Sequence, residues 1–86
     1  MITIFSKEFC PYCDMAKTLL TSLWFEYIEV DVTNDYDKLR EIVWISWMMT
    51  VPQIFKWEII KENFLWGYSD IRSLNEEWKL IELLNN

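Results

Sequence analysis

Ile2-Thr3-Ile4-Phe5-Ser6-Lys7-Glu8-Phe9-Cys10-Pro11-Tyr12-Cys13-Asp14-Met15-Ala16-Lys17-Thr18-Leu19-Leu20 is the stretch whose reading decides the fold. Its opening, Ile2 to Phe5, is apolar and β-branched and ends at polar Ser6-Lys7-Glu8, the pattern of a short buried strand. From Pro11 the period becomes helical: Met15, Leu19 and Leu23 fall at i, i+4 and i+8, with Ala16 and Leu20 beside them. Pro11 suits a first helical turn, where its missing N–H costs nothing. The Cys10-x-x-Cys13 pair therefore stands where a strand hands over to a helix.

Working outward, Phe25 to Val32 alternates, with Ile28, Val30 and Val32 on one face and Glu29 and Asp31 on the other, as a strand does. Asp35 caps a second helix to about Ser46, with Tyr36, Leu39, Ile42 and Val43 expected inward. Gln53-Ile54-Phe55 reads as a third strand. Lys61-Glu62-Asn63 reads as the turn before a fourth at Phe64-Leu65. A short helix follows from Asp70, and a last one from about Asn75 to Leu84 with Leu80, Ile81 and Leu84 on one face. The order β-α-β-α-β-β-α predicts an α/β fold: a four-stranded mixed sheet flanked by helices, parallel in its first half and closing with a hairpin.

Composition narrows the function. A chain of 86 residues makes one domain, 1–86. A net charge of −6 speaks against nucleic acid and reads as general solubility. Two cysteines and no histidine cannot supply a four-ligand zinc site without carboxylates or a second chain, and no metal is expected. No apolar run approaches the length of a membrane span, and Met1 to Lys7 lacks the features of a signal peptide. Two cysteines so close in sequence close too small a loop to staple a fold. A working thiol pair in the cytoplasm is the simpler expectation.

The context strand–CxxC–helix reads as a thioredoxin-like redox site. Cys10 falls at the helix N-cap, where unpaired N–H groups and the positive end of the dipole stabilise a thiolate. Lys7 adds a cation nearby, while Glu8 and Asp14 moderate the field. Cys13, one turn in, is placed to attack a mixed disulfide on Cys10. Cys10 is thus the expected nucleophile and Cys13 the resolving thiol. Half of a metal site, or two incidental thiols, is the competing reading.

Lys7-Glu8-Phe9-Cys10-Pro11-Tyr12-Cys13 resembles the active site of dithiol glutaredoxins. Thr50-Val51-Pro52-Gln53-Ile54-Phe55 resembles that family's TVP segment, and Gly67-Tyr68-Ser69-Asp70 the end of its GG-x-[SD]-D segment. The three occur in family order, and the resemblance runs essentially end to end. It implies a thioredoxin-like fold, no tightly bound cofactor, and glutathione as co-substrate. Val51, within Thr50-Val51-Pro52 and before a cis Val51–Pro52 bond, would pair its backbone with the glutathione cysteine. Ser69 and Asp70 would hold the γ-glutamyl end at a helix N-terminus, with Gly67 beside them among the glutathione-binding residues. Lys7 would face the glycyl carboxylate and Tyr12 would flank the groove. Two departures stand out. Met48 and Met49 occupy places where the family often carries a polar or basic grip on the glycyl carboxylate. The segment between Phe55 and Leu65 is also about four residues longer than usual, by alignment of the flanking motifs.

The chain has 1 glycine and 6 tryptophans. Average usage would give roughly six glycines at this length. By the same resemblance, Trp24, Trp47, Trp66 and Trp78 stand at places where the family has glycine. Trp57 falls near a hairpin glycine, and Trp44 matches none. The glycine places held by tryptophan read as UGA codons of a genome that decodes UGA as glycine, translated here as tryptophan, and Trp44 reads as an ordinary helical residue. Deliberate redesign is the alternative, and the gene sequence decides between them.

The functional expectation is a glutathione-dependent reductant of protein disulfides and glutathione mixed disulfides, acting as a monomer. Two alternatives that use the thiols remain, beside a redox-dead reading. One is a reductant of ribonucleotide reductase fed by thioredoxin reductase, which a comparison of electron donors would reveal. The other is a carrier of a glutathione-ligated iron–sulfur cluster, which Pro11 disfavours and anaerobic reconstitution would test. A redox-dead binding module would show Cys10 unreactive to a thiol label.

Overall fold

The computed structural model describes residues 2–76 and 79–84. Strands β1 (Ile2–Ser6), β2 (Tyr27–Asp31) and β3 (Gln53–Lys56) form one sheet in the order β2-β1-β3. β1 runs parallel to β2 from Ile2↔Tyr27 to Ser6↔Asp31, and antiparallel to β3 from Ile2↔Lys56 to Phe5↔Gln53. Helices α1 (Pro11–Ser22) and α2 (Tyr36–Ser46) make the crossovers. A 3-10 turn at Lys61–Asn63 precedes α3 (Tyr68–Glu76) and α4 (Leu80–Leu84).

The pleat sorts the core into two layers. Ile2, Ile4 and Ile54 pack on one face with Ala16 and Leu20 of α1, Ile71 of α3 and Leu80 of α4. Phe5 and Phe55 pack on the other with Val32, Ile42 and Phe64. The Phe5 and Phe55 rings meet edge-on at 5.8 Å, an arrangement that suits their quadrupoles.

The sheet has three strands where the sequence predicts four. Phe64 pairs with Phe55 as an isolated bridge. The Leu65 N–H donates to the Ile54 carbonyl at 2.7 Å, and the Ile54 N–H to the Trp66 carbonyl at 3.1 Å. Pairing begins on the expected edge, but the turn at Lys61–Asn63 delays its start. Trp66 follows at φ 72°, and α3 begins two residues later at Tyr68.

Other expectations shift with burial. Ala16 and Leu20 form the buried stripe of α1, whereas Met15 is exposed. Tyr36 is exposed at the start of α2, leaving Leu39 and Ile42 to face the core. Ile28 is exposed because β2 is an edge strand, and only Val30 and Val32 of that face reach the second core layer. Ile81 is exposed too, its place against the core taken by Leu83 and Leu84. Asp35 caps α2 as expected, accepting from the Lys38 N–H at 3.0 Å. The expected final helix from Asn75 is interrupted instead: α3 already begins at Tyr68 and α4 starts afresh at Leu80. Trp78 lies outside the described residues.

Left-handed backbone occurs at Trp24 (φ 66°), Trp47 (φ 62°), Trp57 (φ 67°), Trp66 (φ 72°) and Phe9 (φ 54°). Trp24 sits one residue past the C-cap of α1. Its N–H bonds the Thr21 carbonyl and the Phe25 N–H bonds the Leu20 carbonyl, each at 3.0 Å. This is the Schellman pattern, in which that position is usually glycine. Gly67, by contrast, does not have a positive φ, and a Cβ there would meet Pro52 O at an ordinary 3.5 Å. Among the described residues, four of the five left-handed positions are held by tryptophan, and the lone glycine is not one of them.

Candidate active site

Cys10 is the N-cap of α1, and its Sγ accepts from the Cys13 N–H at 3.2 Å. Extended backbone at Cys10 and the fixed φ of Pro11 set up this geometry. The two cysteines form a disulfide across a Cα–Cα distance of 5.2 Å. When the pair is reduced, the same N–H and the helix N-terminus face the Cys10 sulfur, the environment that favours a thiolate. The two sulfurs are not equivalent. Cys13 is 1% exposed, whereas Cys10 is half-buried beside fully exposed Phe9. An incoming thiol or disulfide meets Cys10 first.

The charges around the pair follow from local hydrogen bonds. Asp14 lies 3.4 Å from the Lys17 ammonium, so its opposition to the helix field is partly neutralised. Lys17 also donates to Glu29 at 2.9 Å, and that carboxylate accepts from the buried Ser6 hydroxyl at 2.6 Å. The Ser6 hydroxyl and then Lys17 hold the Glu29 carboxyl below its ordinary value, and Glu29 in turn raises Lys17. The Glu8 N–H donates to Thr33 Oγ1 at 2.8 Å, tying the loop before Cys10 to the end of β2.

Beside the disulfide runs a groove of about 210 Å³, lined by Tyr12, Met48, Thr50, Val51, Pro52, Gly67, Tyr68, Ser69 and Asp70. Three segments distant in sequence thus converge on one cleft. The Val51–Pro52 bond is cis. Asp70 is not the N-cap: α3 begins at Tyr68, and the Asp70 carboxylate reaches back to accept from the Gly67 N–H at 3.2 Å. That bond fixes the carboxylate at the helix start, where the first N–H groups have no intrahelical acceptor. Tyr12 and Tyr68, with rings 6.2 Å apart, both border the groove.

Of the residues expected to bind glutathione, Lys7 alone stands apart from the groove lining. It is exposed on the loop before Cys10. Met48 lines the cleft while Met49 is exposed outside it. Sequence reasoning passed over Tyr68, although it lies inside a quoted motif. It also passed over Phe9, whose positive φ has no compositional signature because phenylalanine rarely adopts it. Among the described residues no cluster of three or more Cys, Asp or Glu is placed to hold a metal ion, and no helix is long and apolar enough to cross a membrane.

Comparison with known proteins supplies the family context. The sequence model described as Glutaredoxin matches residues 2–62. A glutaredoxin of Neisseria meningitidis is 36% identical over 85 residues, covering 98% of this chain and 95% of the relative. Glutaredoxin 3 of Escherichia coli K12 is 35% identical over 83 residues, covering 96% of this chain and 95% of its own. In structure, the dithiolic glutaredoxin of Trypanosoma brucei brucei superposes with a TM-score of 0.80 at 34% identity, covering 96% of this chain and 84% of that one. A buckwheat glutaredoxin–glutathione complex superposes with a TM-score of 0.83 at 23% identity, covering 98% and 76%. This second likeness bears on the fold.

Proposed function

The chain belongs to the glutaredoxin family, and from its dithiol we infer that it works as a glutathione-dependent thiol–disulfide oxidoreductase with Cys10 as nucleophile. The observation that carries the assignment of roles is the asymmetry of the pair: Cys10 caps the helix at the open end, and Cys13 is buried behind it. The Cys10 thiolate attacks the glutathione sulfur of a mixed disulfide. The new Cys10–glutathione bond forms as the old S–S bond breaks, and the substrate leaves as a thiolate that takes up a proton. A second glutathione thiolate then attacks the bound glutathione sulfur, releasing glutathione disulfide and restoring Cys10. With a disulfide protein as substrate, Cys10 forms the mixed disulfide. Cys13, once deprotonated, attacks Cys10 Sγ, which expels the reduced protein and leaves the Cys10–Cys13 disulfide. Two glutathione molecules reopen it.

The groove is the proposed seat of glutathione. Val51, between Thr50 and Pro52, would pair its main chain with the cysteinyl residue. Gly67, Ser69 and Asp70 would receive the γ-glutamyl end at the α3 N-terminus, as anions are received at helix starts. Tyr12 would close one side, and Lys7 would reach the glycyl carboxylate from the rim. The buckwheat protein of the same fold was crystallised with glutathione, which favours a site of this kind. Disulfide-bearing proteins, a monomeric state and a cytoplasmic setting complete the proposal.

We also read the tryptophans at positive φ as glycine positions, translated from UGA. Four left-handed sites held by one rarely left-handed residue type support this reading. A gene with UGG at Trp24, Trp47 and Trp66 would end it.

Reduction of a glutathionylated peptide by glutathione tests the function. Cys10→Ser is expected to abolish turnover, whereas Cys13→Ser keeps it and loses the reduction of dithiol proteins. Activity surviving in Cys10→Ser would reverse the roles.

A further inference from the structure

Gln53 is fully buried at the start of β3, directly after Pro52. Its Nε2 donates to the Met48 carbonyl at 2.6 Å and to the Thr50 carbonyl at 3.1 Å. Both hydrogens of the amide are thereby spent on the segment that precedes Val51. The same segment is held from the other side. The Ser46 hydroxyl at the end of α2 accepts from the Met48 N–H at 3.1 Å and lies 3.3 Å from the Met48 carbonyl, to which it donates. Ser46 is itself 1% exposed. Met48 to Thr50 is therefore strapped between two buried polar side chains, one from a helix and one from a strand.

The amide is a costly occupant of this place if packing is its only role. Among the described residues its buried Oε1 has no hydrogen-bond partner, so the site is not built to satisfy a glutamine in full. Two carbonyls converge on the other end of the amide, which fixes its orientation: a flipped amide would set oxygen against oxygen. The side chain is matched by its donors and left unmatched by its acceptor. Among the described residues no protein group bonds the Val51 N–H or C=O, so that main-chain edge stays open to the groove.

We propose that Gln53, with Ser46, is a positioning residue that fixes the Met48–Thr50 main chain and so presents the Val51 edge for recognition of the peptide backbone of glutathione. The inference rests on the proposed glutathione groove and adds a device that selects for this substrate class. A peptide-like ligand recognised through main-chain hydrogen bonds needs its partner edge fixed closely, because a small displacement weakens all of those bonds together. A small disulfide without a peptide backbone makes no such demand. Gln53 does not itself line the groove; its amide bonds the main chain of the lining residues Met48 and Thr50, so it acts through the segment it holds.

The test compares single-turnover reaction of reduced enzyme with two forms of one peptide, capped by glutathione or by 2-mercaptoethanol. The ratio of the two rates is the glutathione preference. Gln53→Met keeps the shape and removes both donors. It is expected to lower the preference about tenfold through the glutathione rate, with the 2-mercaptoethanol rate falling far less. Alkylation of Cys10 by iodoacetamide reports the nucleophile separately and is expected to hold within about twofold. Ser46→Ala, which leaves the sheet intact, should lower the preference in the same direction by a smaller factor and serves if Gln53→Met does not fold. Equal losses on both substrates, or an unchanged preference in whichever variant folds, would overturn the proposal. Asp70→Ala separates the layers of the argument. If it loses the preference while the folded Gln53 or Ser46 variant keeps it, the groove reading stands and the positioning role falls. A wild-type enzyme with no preference for glutathione overturns both.

Discussion

At the scale of single residues, the backbone conformation decides what a side chain costs. Left-handed backbone brings the Cβ against a carbonyl oxygen and costs a non-glycine residue roughly 1–2 kcal/mol. Trp24, a residue 93% exposed, carries this strain one position past the α1 C-cap, so little packing offsets it. Trp44 is the natural control: its side chain is 82% exposed as well, but it stands inside α2 at helical φ. The same replacement is therefore expected to act with opposite signs. Trp24→Gly should raise Tm by about 4–8 °C for each kcal/mol of strain relieved. Trp44→Gly should lower it, because glycine costs a helix interior roughly 0.5–1 kcal/mol. Thermal unfolding of the two variants beside the parent measures both. A fall in Tm with Trp24→Gly would show that the C-cap is not strained by tryptophan.

At the scale of elements, one carboxylate joins three of them. Glu29 on β2 accepts from Ser6 of β1 and from Lys17 of α1. Its pKa is held below the ordinary 4.5, chiefly by the Ser6 hydroxyl and next by Lys17. A carboxyl depressed on folding contributes stability that is fully present above the unfolded pKa, and loses it as pH falls through the lower folded value. Since the side chain is 40% exposed, solvent screening limits the contribution to roughly 0.2–1 kcal/mol. Lys17 is shifted upward by the same pair, so its share is lost only as pH rises above the ordinary 10.5. Glu29→Gln is therefore expected to be less stable than the parent at neutral pH and to converge with it as the pH falls through the depressed pKa of Glu29. Parallel Tm-against-pH curves would remove the linkage. These contacts also mark the limit of what the sequence could say. Alternation placed Glu29 and Asp31 on one strand face, and the CxxC spacing placed Cys10 at a helix start, because both are local periodicities. Convergence of Tyr12, Val51 and Asp70 on one groove was legible only through resemblance, because no local pattern records which loops meet. That the fourth strand shrinks to one Phe64–Phe55 bridge and two flanking main-chain bonds was not legible either, because apolar Phe64-Leu65 carries no signal of how far pairing runs.

At the scale of the whole molecule, strain at four tryptophans would total roughly 4–8 kcal/mol against a net stability of about 5–15. The sites are not all independent. Lys61 bonds the Ser46 carbonyl at 2.8 Å, and its ammonium lies 5.7 Å from the Trp47 ring, 5.6 Å from Phe64 and 5.0 Å from Trp66. The long segment after β3 thus folds back to the α2 C-terminus around one cation, and the two strained tryptophans help to hold it. Removing one indole leaves the other to attract the ammonium, whereas removing both leaves Phe64 alone among the aromatic rings found beside it. Cation–π attraction at such partly exposed sites is worth roughly 0.5–1 kcal/mol. In urea unfolding, Trp24→Gly and Trp57→Gly, with no shared aromatic or cationic contact among the described residues, are expected to add within about 0.5 kcal/mol. The Trp47→Gly and Trp66→Gly pair should gain less than the sum of its single gains, by about 0.5–1 kcal/mol. Trp66→Gly should also speed glutathione-dependent turnover more than Trp24→Gly does, since residue 66 adjoins the groove residue Gly67. If all four replacements prove additive and turnover responds equally to each, the tryptophans act only as separate points of backbone strain, and the Lys61 cluster is incidental to stability.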